Sequence, residues 1–367
     1  MLKKTLYIYL VSLLLLYTPK VDAQEYVSLC TEETNYITDM VLCYLGGHYN
    51  ISYTPEHIKT YMYRVDEEGQ FHWLYDAFLF LSGKHPDGYA FDATWGKKSA
   101  TKKEWTWLLD KQFAKLEGAG AIDYVLDSLK QIKIEPIRKR KIVVTLPHPV
   151  PNQENWGSVG GKAMNFTSEK DRLKALEWYV EEAIKQWKKR DYKNIELAGF
   201  YYFKENTRGD VELIKSIGEF VKKKGYKYYW IPYLWAPGFD KTHELGFDVA
   251  YQQPNYFFKK SNRAPITRMD LVCNHALAHN MGMEMEFNDD IQYTFFQMRF
   301  LEYLDFFEKY GIWEKASIAY YQDFMTFAKM SKSEDFQIQR LFKRFCKIIE
   351  DRQRRADQIY IQKYRKK

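Results

Sequence analysis

Apolar runs of strand length alternate with stretches of helical period along most of the chain. The runs at 40–45, 72–81, 141–146, 196–204, 227–234, 247–252, 281–287 and 317–321 are rich in aliphatic and aromatic residues, as expected of strands buried on both faces. Between them, apolar positions recur every three or four residues at 54–61, twice within 103–131, and at 168–190, 210–224, 266–279, 289–310 and 334–358, with a short piece at 241–245. Ser168 and Asn288 stand where helix caps belong, and Gly225 follows a Lys-rich helix end. Eight strands, each followed by helical sequence, predict an α/β fold: a single (β/α)8 barrel over residues 24–367, closed by a basic C-terminal helix.

The first 23 residues follow another pattern. Lys3 and Lys4 precede a dozen apolar residues from Leu6 to Tyr17, and Val21-Asp22-Ala23 offers a cleavage site. This reads as a signal peptide and predicts export to the periplasm or the medium. The apolar stretch falls short of the roughly 20 residues a membrane span needs, so no span is expected. Export permits disulfides, and Cys30 with Cys43 is the pair that could form one; buried thiols are the other reading for the four cysteines.

Charge changes the picture little. The net charge is +7, but residues 339–367 hold eleven Lys/Arg against three Asp/Glu, and residues 1–23 hold three against one, so the remainder is three charges negative. A basic end on a slightly acidic body is no nucleic-acid groove, and no nucleic-acid partner is expected. The aromatic content is 17%. That excludes a disordered chain and leaves aromatic surface for a ligand. No Cys/His spacing suggests a metal; His275 and His279, four apart, read as a helix face, and no cofactor is expected.

In a barrel of this kind the chemistry sits at the C-terminal ends of the strands. Glu205 closes the fourth strand, and Glu284 and Glu286 lie two apart on the seventh, hence on one face. Two carboxyls across a barrel mouth are what glycoside cleavage uses, one giving a proton to the leaving oxygen and one attacking or activating water. Glu205 and Glu286 are the expected catalytic pair: Glu205 as donor among aromatic residues with Lys204 turned away, and Glu286 as anion facing the polar run Asn288–Asp290. Glu284, Asp76, His148, Trp156, Trp235, Tyr251, Gln253 and Asp323 are expected to contact an oligosaccharide or polysaccharide. Asp76 has a second reading, as a buried partner of a neighbouring strand. The Gly-rich segment 155–161 lacks a phosphate-loop lysine and reads as a mobile substrate loop.

A glutamate ending strand four and another ending strand seven resemble the retaining glycosidase superfamily built on (β/α)8 barrels. That superfamily has Asn before the strand-four Glu; this chain has Lys204. The segments Gly199-Phe-Tyr-Tyr-Phe-Lys-Glu205, Tyr228-Tyr-Trp-Ile-Pro-Tyr-Leu-Trp235 and Gly282-Met-Glu-Met-Glu-Phe287 are similar to a secreted bacterial family known as domain of unknown function 4855, which implies a barrel without a defined chemistry. The expectation is an exported hydrolase of glycosidic bonds. The alternative is a barrel that binds saccharide without cleaving it, because fold alone does not give function.

Overall fold

The computed structural model describes residues 24–47, 51–258 and 264–365; the expected signal peptide lies outside them. Eight parallel strands close a barrel: β1 (Asp39–Tyr44), β2 (Ala77–Leu81), β3 (Arg140–Leu146), β4 (Ile195–Tyr202), β5 (Lys227–Trp230), β6 (Val249–Gln252), β7 (Gly282–Glu286) and β8 (Ile318–Tyr321). Each pairs with its neighbours in sequence, and β1 pairs with β8 to close the ring. All eight expected strands form. Their near-continuous burial reflects a parallel sheet covered by helices outside and packed side chains within.

The expected run 72–81 divides. Phe71–Trp73 pairs antiparallel with Tyr63–Val65 in a hairpin, and the barrel strand starts only at Ala77. Asp76 ends the hairpin's reach by turning its carboxylate onto the backbone N–H groups of Thr38 and Asp39, 2.9–3.2 Å away. The piece at 241–245 forms turns instead of a helix, and the last helix runs further than expected, from Phe336 to Arg365.

That helix crosses the N-terminal end of the barrel. Arg352 donates to Asp39 and to the carbonyls of Thr38 and Ala316, and Gln353 donates to Asp39 and accepts from Arg138. Arg138 in turn pairs with Asp76 and Asp357. The basic end is thus partly buried structure. The four cysteines are buried free thiols, with no Cys30–Cys43 bridge. Among the described residues no helix is long and apolar enough to cross a membrane.

Candidate active site at the C-terminal end of the barrel

A cavity of about 320 Å³ opens at the C-terminal ends of the strands, with wall residues from seven of the eight strands or the loops that follow them. Glu205, Glu284 and Gln253, expected from different strands, meet on its wall. Asp92, Thr94 and Trp95 from the loop after β2 join them, as do Tyr44, Tyr201 and Tyr321. Trp95 stacks near Phe203, with 6.5 Å between centroids at 20°, and its ring lies against Gly83, where a Cβ would clash at 2.2 Å.

Strand β4 ends at Tyr202, so the alternation of faces stops before Glu205. Phe203, Lys204, Glu205 and Asn206 therefore all line the cavity, while the Lys204 charge is directed onto Asp210. Its ammonium pairs with Asp210 and donates to the Arg208 carbonyl at 2.6 Å. Glu205 is open to water through the cavity mouth but otherwise walled by protein. That desolvation pushes its carboxyl up to about 7, with Asp92 and Glu286 adding repulsion and the Gln253 amide opposing the rise. Gln253 is itself held by donating to the Ile231 carbonyl at 2.9 Å and accepting from Asn255.

On β7 the inward face carries Gly282, Glu284 and Glu286. Gly282 makes room for the Tyr251 ring, which would lie 2.6 Å from a Cβ there. The two glutamates above it differ in surroundings. Glu286 is fully buried and off the cavity wall. Its carboxylate accepts from the backbone N–H groups of Asn255 and Tyr256, each at 3.0 Å, and from the Tyr303 hydroxyl at 2.5 Å. It faces these donors and not the run Asn288–Asp290; Asp289 is taken by Thr326 and Lys329. The loop after β6 folds across the strand end, and that fold-back is what covers Glu286. Glu284, one step deeper, lines the cavity and has no hydrogen-bond donor among the described residues. Burial and the nearby Glu286 and Glu205 carboxyls push it well above the usual range. Burial pushes Glu286 to about 7 against the pull of its three donors. Of this pair Glu286 has the donors that hold an ionised carboxylate, and Glu284 has none among the described residues.

Five expected contacts lie elsewhere. Asp76 is at the opposite end of the barrel, paired with Arg138. Trp156 is buried among Trp105, Phe166 and Trp178. Its Gly-rich segment forms a hairpin, 157–159 with 162–164. Tyr251 sits deep in the barrel with its hydroxyl 3.0 Å from Ser317 Oγ. Asp323 stands behind the wall and accepts from the Tyr321 hydroxyl at 3.2 Å. Trp235 is 58% exposed outside the cavity, held in left-handed backbone with Arg268 5.5 Å from its ring.

His148 is also off the wall, buried between two carboxylates: Nδ1 lies 3.1 Å from Asp92 and Nε2 3.0 Å from Asp210. Asp210 also takes Arg172 and Lys204. Asp92, which the sequence reading missed, is held down to about 2: burial would raise it, but His148 and Thr94 more than offset that. Pro147-His148-Pro149 was the only sequence signal nearby, and it pointed at the clamp and not at the group clamped.

No match was found among curated proteins. Among solved structures the chain is similar to mutant forms of the tryptophan synthase alpha-subunit of Pyrococcus furiosus, one with TM-score 0.40 and 10% identity over 86% of this chain and 98% of that one. It is also similar to a candidate alpha-L-fucosidase from Bacteroides thetaiotaomicron, with TM-score 0.44 and 13% identity over 86% of this chain and 95% of that one. The model of the family described as "Domain of unknown function (DUF4855)" matches residues 39–347, which span the whole barrel, and the chain belongs to that family.

Proposed function

We propose that the protein is an exported hydrolase of glycosidic bonds in an oligosaccharide or polysaccharide, with Glu205 the proton donor and the strand-seven pair Glu284–Glu286 the opposing carboxyls. The observation that carries this reading is one cavity on whose wall the carboxyls of Glu205, Glu284 and Asp92 meet; its surroundings push Glu205 up to about 7 and Asp92 down to about 2. Cleaving an acetal at neutral pH needs a carboxyl still holding its proton beside others that are charged. Glu205 gives its proton to the leaving oxygen as the bond from that oxygen to the anomeric carbon breaks. Negative charge on the β7 pair opposes the positive charge developing at that carbon, and Glu284 is the member placed to touch the sugar. Water then adds its oxygen to the anomeric carbon and returns a proton to Glu205. Trp95 supplies a face for a sugar ring.

Aryl glycosides separate the roles. Glu205→Gln should keep measurable cleavage of a substrate whose phenolate leaves unaided, while losing unactivated glycans. Glu284→Gln and Glu286→Gln should lose both. If Glu205→Gln hydrolyses a natural glycan at the wild-type rate, the donor assignment is wrong. The engagement of Lys204 by Asp210, where the similar glycosidases have Asn, favours the second reading, binding without cleavage. Retention of a glycan by wild-type protein without turnover would establish it.

A further inference from the structure

The cavity wall holds a carboxylate that neither gives the proton nor belongs to the strand-seven pair. Asp92 is 4% exposed, lies on the wall beside Glu205, and is fixed from behind. Its Oδ1 accepts from the Thr94 N–H at 2.8 Å and the Thr94 hydroxyl at 2.6 Å, and its Oδ2 lies 3.1 Å from His148 Nδ1. A carboxylate offers about four lone-pair sites; the two Thr94 bonds fill those of Oδ1, so Oδ2 keeps at least one free. The clamp is anchored in turn, because His148 meets Asp210, which Arg172 and Lys204 both engage. The titratable groups facing the same space, Lys204 apart, are Glu205, Glu284, Tyr44, Tyr201, Tyr233 and Tyr321. Among the described wall residues Lys204 is the one cation, and its ammonium is taken by Asp210 and the Arg208 carbonyl.

From this geometry we infer that Asp92 is a specificity-determining anion: it accepts a hydroxyl hydrogen bond from the sugar unit seated beside it, and it excludes units that carry a carboxylate or sulfate. The inference rests on the saccharide reading and names the class of sugar that the cavity accepts. A fixed anion gains a charge-assisted bond from a hydroxyl, but it repels a second anion in a site with no cation free to offset it. The pKa splitting around Asp92 and Glu205 agrees with an anion that stays charged beside a carboxyl that keeps its proton.

The test needs no turnover. Binding of D-glucose, D-galactose and D-mannose and of the three corresponding uronates is measured by ligand-observed NMR at pH 7, with wild type and Asp92→Asn. At least one neutral sugar should bind, at least tenfold more tightly than its uronate. Asp92→Asn should narrow that ratio below threefold by weakening the neutral sugar and strengthening the uronate. Loss of fold would remove both ligands and cannot mimic a gain for one. Equal or tighter uronate binding by wild type, an unchanged ratio in Asp92→Asn, or no binding of any of the six overturns the inference. Cleavage at a uronic acid unit would overturn it while leaving glycoside hydrolysis standing. A neutral sugar bound by a protein that cleaves no glycan would do the reverse.

Discussion

The two ends of the barrel both bury carboxylates, and they differ in whether every one has a donor. At the N-terminal end Asp39 and Asp76 are met by Arg352, Gln353, Arg138 and backbone N–H groups. At the C-terminal end Glu205, Glu284 and Asp92 share one cavity whose described cation, Lys204, is turned onto Asp210. Burial without a partner is costly, so a fold that needed only stability would hold all its carboxyls as the first end does. Glu284, buried at the second end without a donor, is what the proposed hydrolase would need there.

Stability measurements break or sharpen this contrast. Asp76→Asn leaves Arg138 buried against a neutral amide, and a cost of roughly 3–5 kcal/mol is expected for opening a buried pair. Activity per folded molecule should not change. Glu284→Gln removes a carboxyl that has no donor, so denaturant midpoints should stay within about 1 kcal/mol of wild type or rise. If Glu284→Gln unfolds the protein as Asp76→Asn does, the two ends are alike and both are structural.

The sign of the pH dependence separates the ends next. Glu286 moves from the ordinary 4.5 to about 7 in the fold. The folded chain binds that proton more tightly than the unfolded one, so this contribution is complete below pH 4.5 and fades as pH rises through 7. Asp76 is held below its ordinary value: burial raises it, and Arg138 and Arg140 outweigh that. Its contribution is present above the ordinary carboxylate range and fades as pH falls beneath it. Thermal melts of Glu286→Gln between pH 5 and 8 should therefore fall less steeply with pH than wild type, by a few degrees. A steeper fall would reverse the assignment. The smallest effect is expected at Trp235, whose ring is exposed: Trp235→Ala should shift stability by no more than about 0.5 kcal/mol. It should weaken binding of long glycans only, as affinity chromatography on a polysaccharide series would detect.

The barrel was legible because each strand is an apolar run bounded by helical sequence, a pattern set by burial alone. The run 72–81 misled because two short strands and the Asp76 turn between them are all apolar-flanked. Glu205 and Glu284 were legible as charges just past or on apolar strands. Which strand-seven glutamate meets the cavity was not, because two backbone N–H groups of another loop and Tyr303 decide it, and no periodicity encodes them. Asp92 lay hidden in a loop without motif. Trp156 looked like a loop aromatic until the hairpin around it placed it against Trp105.

The most direct test is to incubate the purified chain from Gln24 onward, and its Glu205→Gln variant, with a panel of plant, microbial and host glycans, and to count new reducing ends by mass spectrometry. Release from at least one glycan is expected for the wild type, lowered on the order of 10²–10⁴-fold in the variant. No release from any glycan, or equal release by both proteins, would contradict a catalytic role for the carboxyls at this end of the barrel.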